Sequence, residues 1–258
     1  MTAKPSRFIW YELATNDPDA AAAFYTKVAQ WEVSRHSQPG MDYRLWSAGS
    51  EVVGGMMKIT DAAAAAGMRP IWLGYVNVAD VDETVGSVTQ AGCAVYMPPT
   101  DIAEAGRMAL VTDPQHAAFY VMRPNGPEGS STCFAPGKPG HFGWNELHTS
   151  DWQAALKFYG EHLGWEQTGS HDMGPMGTYA LFGGRGQQLG GMMNSPGFPR
   201  PKWMYYINVD DIDAAAVRVT EAGGEVKSGP HQVPTGEWMI HGRDPQGAMF
   251  ALLGPRKS

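Results

Sequence analysis

The hydrophobic pattern of this chain changes from a period of two to a helical period, and it does so four times. Apolar and polar residues alternate over residues 8–15, Asp17 follows, and apolar side chains then recur at helical spacing through Phe24, Tyr25 and Val28. An aspartate in this place caps the unpaired amides of a first helical turn. The pattern therefore predicts a strand and a capped helix at the start of each of four modules.

The strands that follow each helix are bounded by glycine, proline and aspartate. Strands are predicted at residues 72–78 and 203–209, and each leads through an aspartate into a helix that ends at Gly92 or Gly223 in the left-handed conformation. Later strands are predicted at residues 43–46, 52–59, 117–122, 179–182, 189–193 and 248–253. The order of strand, helix and about three strands predicts an α+β fold with helices covering one sheet face.

The two halves of the chain are copies of one sequence. Residues 7–32 align without a gap to residues 141–166, and residues 69–95 align to residues 200–226. Identical residues in these alignments include Trp10/Trp144, Glu12/Glu146, Tyr25/Tyr159, Trp31/Trp165 and Tyr75/Tyr206. Self-similarity at a fixed shift indicates duplication. Proline, glycine and serine interrupt the pattern between the copies, which predicts a first domain at 1–123, a linker at 124–140 and a second domain at 141–258.

The composition of the chain argues against nucleic acid and membrane partners. The formal net charge is −7 and the isoelectric point is near 5.6, so the basic surface that binds nucleic acid is not expected. No apolar run approaches the ~20 residues of a membrane span, and the N-terminus lacks the apolar core of a signal peptide. Two cysteines, Cys93 and Cys133, require no disulfide scaffold. We expect a cytoplasmic protein, monomeric or homodimeric, that binds a small molecule.

The chain resembles the vicinal oxygen chelate superfamily, which includes glyoxalase I, bleomycin-resistance proteins, fosfomycin-resistance enzymes and extradiol dioxygenases. The residues that carry the resemblance are the runs Asp17, Phe24, Tyr25, Trp31 and Asp151, Phe158, Tyr159, Trp165. The resemblance implies four βαβββ modules, paired into two domains with cupped sheets. It also implies a ligand, and usually a divalent metal, on each concave face.

The metal positions implied by the resemblance carry unsuitable side chains. They are Trp10, Met56 or Met57, Leu73 and Tyr120 in the first domain, and Trp144, Met192 or Met193, Met204 and Ala251 in the second. Imidazole and carboxylate ligands, which divalent metals favour, are missing there. We therefore predict no cofactor and no metal at these positions, although a displaced site that joins Glu146 and His148 with His171 or His241 stays open.

The candidate catalytic groups are three polar residues on the first strands of the two halves, one in the first half and two in the second. Glu12 and Glu146 lie within apolar strands, where desolvation would suit a carboxylate to remove a proton next to a carbonyl. His148, which replaces Ala14 of the first copy, shares a strand face with Glu146 and could act with it as acid and base. The alternative is that each glutamate accepts hydrogen bonds that hold the sheet together, and that His148 is a packed pocket residue.

Aromatic and methionine side chains indicate an apolar ligand. The predicted substrate-binding residues are Trp10, Tyr75, Tyr120, Trp144, Met192, Met204 and Tyr206. His36 and His171 are expected in loops that could form a lid, and the glycines of the Gly-Gly-Met-Met repeats at 54–57 and 190–193 in close strand contacts or bulges. Three functions stay open: a glyoxalase-like lyase or isomerase without the usual metal, a metal-free binding protein of the bleomycin-resistance type, and a scaffold with filled cups.

Overall fold

The computed structural model describes residues 6–36, 42–127, 129–184, 186–197 and 200–257. The strands of the first half are β1 (Phe8–Thr15), β2 (Glu32–Arg35), β3 (Tyr43–Ala48), β4 (Glu51–Lys58), β5 (Ile71–Asn77), β6 (Val95–Ile102), β7 (Gly106–Thr112) and β8 (Ala118–Pro124). Its helices are α1 (Pro18–Val28), α2 (Asp61–Ala65) and α3 (Val81–Gln90).

The second half repeats this order. Its strands are β9 (Phe142–Thr149), β10 (Glu166–Asp172), β11 (Thr178–Gly184), β12 (Gln187–Asn194), β13 (Lys202–Asn208), β14 (Glu225–Gln232), β15 (Trp238–Arg243) and β16 (Met249–Gly254). Its helices are α4 (Trp152–Leu163) and α5 (Ile212–Glu221), with a 3-10 turn at Gly174–Met176. The predicted module of strand, helix and three strands is confirmed four times.

Aspartate caps start the helices, as the sequence predicts. The side chain of Asp17 accepts a hydrogen bond from the amide of Ala20 at 3.0 Å, and the side chain of Asp151 accepts from the amide of Ala154 at the same distance. Each bond satisfies an amide that has no partner within the helix. The short helix α2, which the sequence did not predict, starts in the same way, because the hydroxyl of Thr60 accepts from Ala63.

The strands form two eight-stranded sheets. Their orders are β2-β3-β4-β1-β5-β8-β7-β6 and β10-β11-β12-β9-β13-β16-β15-β14. The first and last strands of each module pair in parallel, as β1 with β4 and β9 with β12, whereas the hairpins within each module are antiparallel. Mixed sheets with few helices confirm the predicted α+β class.

Each of two compact units draws on both halves of the chain. One unit contains Met1–Ile9, Gly74–Ser131 and Trp144–Met204, and the other contains Trp10–Leu73, Thr132–Gly143 and Tyr205–Ser258. Much of the predicted linker belongs to the second unit, where the carbonyl of Cys133 accepts from the amide of Phe142 at 2.9 Å. The division at residues 124–140 stays a prediction about the sequence repeats.

A tyrosine of the first helix in each repeat organises the core of a unit. In one unit the hydroxyl of Tyr25 accepts a hydrogen bond from the indole of Trp72 at 2.8 Å, and in the other Tyr159 accepts from Trp203 at 3.2 Å. Both tyrosines are fully buried. Trp72 and Trp203 are therefore core residues on the helix side of their strands.

No helix among the described residues combines the length and the apolar character that crossing a membrane requires.

Candidate active site on strand β9

Strand β9 presents its aromatic and titratable side chains on one face. Side chains alternate along a strand, so Trp144, Glu146 and His148 point to one side and Leu147 to the other. The register agrees, because β12 pairs Met193 with His148. Trp144 is half-buried, whereas Glu146 and His148 are only 6% and 4% exposed. The strand thus places an acid and a histidine side by side, with almost no solvent, next to an indole.

Tyr179 of β11 links the indole to the acid. Its hydroxyl donates to Oε2 of Glu146 at 2.7 Å and accepts from the indole nitrogen of Trp144 at 2.7 Å. Burial raises the pKa of Tyr179 well above its usual range, and the negative charge of Glu146 raises it further. The phenol therefore keeps its proton and serves as a fixed donor to one carboxylate oxygen.

Gly191 makes this link possible. It pairs with Glu146 across β12 and β9, and a Cβ at this position would overlap the ring of Tyr179. The phenol ring crosses over the glycine to reach the acid. Its neighbour Gly190 has a different role, since a Cβ there would overlap the carbonyl of Asn145 on the adjacent strand. The close strand contact predicted for the Gly-Gly-Met-Met repeat is correct for Gly190, and Gly191 provides space for a side chain.

The second carboxylate oxygen faces the histidine. Oε1 of Glu146 lies 2.6 Å from Nε2 of His148, and Nδ1 of the same ring lies 2.8 Å from Oγ of Ser195. Ser195 is the first residue after β12 and is half-buried. The contacts form a continuous series from the indole through the phenol, the carboxylate and the imidazole to a hydroxyl. All five groups belong to one compact unit.

The first repeat has the aromatic part of this arrangement without the histidine. The indole of Trp10 donates to the hydroxyl of Tyr43 at 3.1 Å, and Gly55, which pairs with Glu12, leaves room for that tyrosine. Glu12 is 3% exposed. The residue that aligns with His148 is Ala14, so the first repeat carries no imidazole at this position.

The other predicted ligand-binding aromatic residues differ between the repeats. Tyr75 and Tyr120 stack on each other with ring centroids 4.1 Å apart, and both are buried. In the second repeat the position of Tyr120 is taken by Ala251, which pairs with Tyr206, and the hydroxyl of Tyr206 lies 2.8 Å from Nε2 of His241. The second repeat thus has the methyl group of Ala251 where the first has the ring of Tyr120, and this methyl group lies beside the pair of Tyr206 and His241.

Two predicted methionines have different positions. Met192 pairs with Leu147 and therefore lies on the face of β12 opposite to Glu146 and His148. Half-buried Met193 is the methionine on the side of the acid, so Met192 is corrected to Met193 as a residue of this face. Met204 is 1% exposed, on the side of β13 away from Trp203.

The loop histidines also need one correction. His171 lies in strand β10 opposite Tyr179 and is half-buried, because the hairpin of β10 and β11 continues to Asp172 and Thr178. It is therefore no part of a lid loop. His36 follows β2 and is exposed, and residues 37–41 of the predicted loop lie outside the described residues.

Among the described residues of this unit, Glu146 and His148 are the pair that suits a divalent metal. Trp144 and Met204, at positions that the family resemblance associates with metal, offer no suitable ligand atom, whereas Glu146 and His148 offer a carboxylate oxygen and an imidazole nitrogen. The contacts of Glu146 with Tyr179 and His148 occupy both of its oxygens. In the other unit His241 has a ligand atom of the same kind and contacts Tyr206.

Tyr179 and Ser195 were not predicted as site residues. Tyr179 had a signal in the sequence, since Tyr43 precedes the first Gly-Gly-Met-Met repeat by the same interval as Tyr179 precedes the second. Ser195 had a weaker one, since it replaces Ile59 of the first copy. Neither signal shows that Tyr179 reaches the glutamate or that Ser195 reaches the histidine.

Relatives with curated names align over nearly the whole chain. The CFP32 protein of Mycobacterium bovis, provisionally named a glyoxylase, is 34% identical, with 95% of this chain and 94% of that protein aligned. The anthracycline biosynthesis protein DauV of a Streptomyces species is 31% identical, with 98% and 95% aligned.

Solved structures share this fold along nearly the whole chain. The manganese(II)-bound glyoxalase of Novosphingobium aromaticivorans superposes with a TM-score of 0.63 at 17% identity, with 99% of this chain and 84% of that one covered. The family model of the Glyoxalase/Bleomycin resistance protein/Dioxygenase superfamily matches twice, at residues 7–121 and 138–252. The resemblance inferred from sequence is confirmed, and the chain belongs to this superfamily as a tandem of two copies.

Proposed function

We propose that the protein is an enzyme that moves a proton on a small apolar or aromatic carbonyl compound, as a lyase or an isomerase, with Glu146 as its base and His148 as its acid. The observation that carries the proposal is the position of the Glu146 carboxylate, nearly excluded from solvent between the hydroxyl of Tyr179 at 2.7 Å and Nε2 of His148 at 2.6 Å. An acid and a base in contact can remove a proton and return one.

The proposed reaction uses each group once. The carboxylate of Glu146 takes a proton from the carbon next to the substrate carbonyl, and the C–H electron pair moves to the carbonyl oxygen as an enolate. The enolate carbon then receives a proton from His148, or the enolate expels a leaving group from the adjacent carbon and His148 protonates that group. The proton on Glu146 then crosses the 2.6 Å contact to His148, which restores both groups. Tyr179 keeps its own proton and holds the carboxylate in position, so it is a positioning residue.

The aromatic surroundings support an apolar substrate. Half-buried Trp144 presents indole surface beside the acid, and Met193 lies next to His148 in the register of the sheet. A relative named for anthracycline biosynthesis supports a small-molecule substrate. We propose a flat carbonyl compound as the substrate class.

A bound metal would give the same residues another role. If a divalent cation were present, Glu146 and His148 would hold it, and the cation would polarise a substrate carbonyl. The manganese in the related glyoxalase makes this worth measuring. Elemental analysis of protein purified without chelator decides it: stoichiometric metal that is lost in Glu146→Gln would overturn the metal-free proposal.

A second candidate function is binding without chemistry. The favouring observation is that Trp10 and Trp144 are each half-buried and each fixed by a hydrogen bond to a tyrosine. Such rigid indoles form a ready surface for an aromatic ligand. Titration with aromatic compounds would then quench tryptophan fluorescence while no compound is converted.

The test of the enzyme proposal is exchange of carbon-bound hydrogen for deuterium. A panel of aromatic and aliphatic carbonyl compounds is incubated with the protein in heavy water and followed by proton NMR. The wild type should exchange the hydrogen next to the carbonyl of at least one compound, and Glu146→Gln should lower that rate by ~10² or more. No exchange across the panel, or equal rates in wild type and variant, would contradict the proposal.

Glu12 provides the matched control. It occupies the equivalent position of the first repeat and is as buried as Glu146, but Ala14 stands where the histidine would be. Glu12 remains a proposed second base, and Glu12→Gln measures its share of the exchange. Melting temperatures of both variants separate chemistry from structure, because a structural acid would lose stability in parallel with activity.

A further inference from the structure

The backbone of Ser195 holds this residue beside His148, at the end of the series of contacts that begins at Trp144. Its amide donates to the carbonyl of Thr149 at 2.9 Å, which fixes it beside the end of β9, and its hydroxyl lies 2.8 Å from Nδ1 of His148. The serine is half-buried, whereas the histidine is 4% exposed. Ser195 is therefore more accessible from solution than the imidazole that it contacts.

The glutamate decides which ring nitrogen carries the proton. An ionised carboxylate only accepts hydrogen bonds, so Oε1 of Glu146 at 2.6 Å favours a proton on Nε2 of His148. A ring with its proton on Nε2 can accept at Nδ1, which lies 2.8 Å from the hydroxyl of Ser195. Carboxylate, imidazole and hydroxyl in this sequence are the groups that activate a serine, with the two ring nitrogens exchanged relative to the serine proteases.

We propose that Ser195 is a nucleophile that accepts the acyl group of an activated ester or lactone, with His148 as its base and Glu146 as the group that orients the ring. Oγ of Ser195 bonds to the carbonyl carbon, and its proton passes to Nδ1 of His148. The tetrahedral adduct expels the alcohol, which takes the proton back from Nδ1. Water then attacks the acyl-serine by the same route, releasing the carboxylic acid and restoring the serine.

The first repeat supplies an internal contrast. Its equivalents of His148 and Ser195 are Ala14 and Ile59, so it has an acid with neither base nor hydroxyl. His148 in place of Ala14 and Ser195 in place of Ile59 thus occur together in the second copy. They lie at separate places in the chain, one on β9 and the other directly after β12. The proposal goes beyond the carbonyl chemistry above and does not depend on it.

The test is reaction with a fluorophosphonate, which phosphonylates activated serines. Intact-protein mass spectrometry should show one adduct, and peptide mapping should place it on Ser195. Ser195→Ala should abolish the adduct, and His148→Gln should slow its formation by ~10² or more because the base is lost. Ser170→Ala, at an exposed serine of β10, should leave the labelling rate unchanged.

The outcomes are separable from those of the exchange assay. Absence of an adduct on the folded wild type, or an adduct that persists in Ser195→Ala, would overturn the nucleophile. If Ser195→Ala loses labelling and keeps deuterium exchange, the two activities are distinct. Circular dichroism of each variant shows whether it is folded.

A cysteine at this position tests the activation of the side chain without the phosphonate. Ser195→Cys should react with iodoacetamide faster than the double variant Ser195→Cys, His148→Gln, because the double variant lacks the base.

Discussion

The hydroxyl of Tyr25 on α1 donates to Oδ2 of Asp244, 219 positions later in the chain, at 3.1 Å. The hydroxyl oxygen of Tyr25 also accepts from the indole of Trp72, so one phenol joins a helix, a strand and a turn. In the other unit Tyr159 donates to Oδ2 of Asp113 at 3.0 Å. Duplication has thus preserved a buried polar contact in each unit, and each contact joins a module of one repeat to a module of the other.

Tyr25→Phe should lower the free energy of unfolding by about 1–3 kcal/mol, because the indole of Trp72 and the carboxylate of Asp244 each lose a buried partner. Urea denaturation followed by tryptophan fluorescence measures it. Tyr159→Phe should show a loss of similar size. Tyr96→Phe is the control, since Tyr96 is 64% exposed and its change should stay within about 0.5 kcal/mol. Equal effects for Tyr25 and Tyr96 would contradict the role of the buried contact.

Asp113→Asn should change how stability depends on pH. Burial raises the pKa of Asp113 above 3.8, so the native state binds this proton more tightly than the unfolded state. The stability from this group is complete below the unfolded pKa and is lost as pH rises through the folded pKa. The free energy of unfolding of the variant should therefore increase relative to that of the wild type as pH rises from about 3 to 7. Urea denaturation at each pH measures it.

Asp82 gives the opposite sign. A hydrogen bond from Arg107 lowers the pKa of Asp82 below 3.8, so its contribution is present above the unfolded pKa and is lost as pH falls through the folded pKa. The free energy of unfolding of Asp82→Asn should therefore decrease relative to that of the wild type as pH rises over the same range. Parallel curves for the two variants would contradict the assignment of these shifts.

Gly191→Ala should displace Tyr179, because the new methyl group overlaps its ring. We expect loss of the hydrogen bond to Glu146 and a lower melting temperature, and loss of deuterium exchange if Tyr179 positions the acid. A crystal structure of the variant would show where the phenol goes. Gly86→Ala is the control, since it lies in α3 with open space around it and should stabilise the helix by about 0.5–1 kcal/mol.

Some errors of the sequence analysis have a local physical cause. The hydrophobic pattern predicts no helix at residues 61–70, but Thr60 caps a run of alanines and a short helix forms. His171 was placed in a loop because glycine and methionine follow it, whereas pairing with β11 extends β10 to Asp172. A turn composition indicates where a chain reverses and does not tell how far the flanking strands stay paired.

Period-two alternation was sufficient to place Trp144, Glu146 and His148 together on one face, since neighbours two apart on a strand share a side. It was insufficient for Met192 and Met193. Both fit a strand of the same length, and only the register with β9 shows which one lies beside His148. A shift of one residue exchanges the faces of a whole strand.

The sequence by itself determined the module, its fourfold repetition, the helix caps and the acid in each copy, because these depend on spacing along the chain and on residue type. Only the tertiary structure decided that Tyr179 reaches Glu146 over Gly191, that Ser195 meets His148, and that Tyr25 meets Asp244. These contacts join residues on different elements, and their geometry depends on strand register and helix packing that no local pattern encodes.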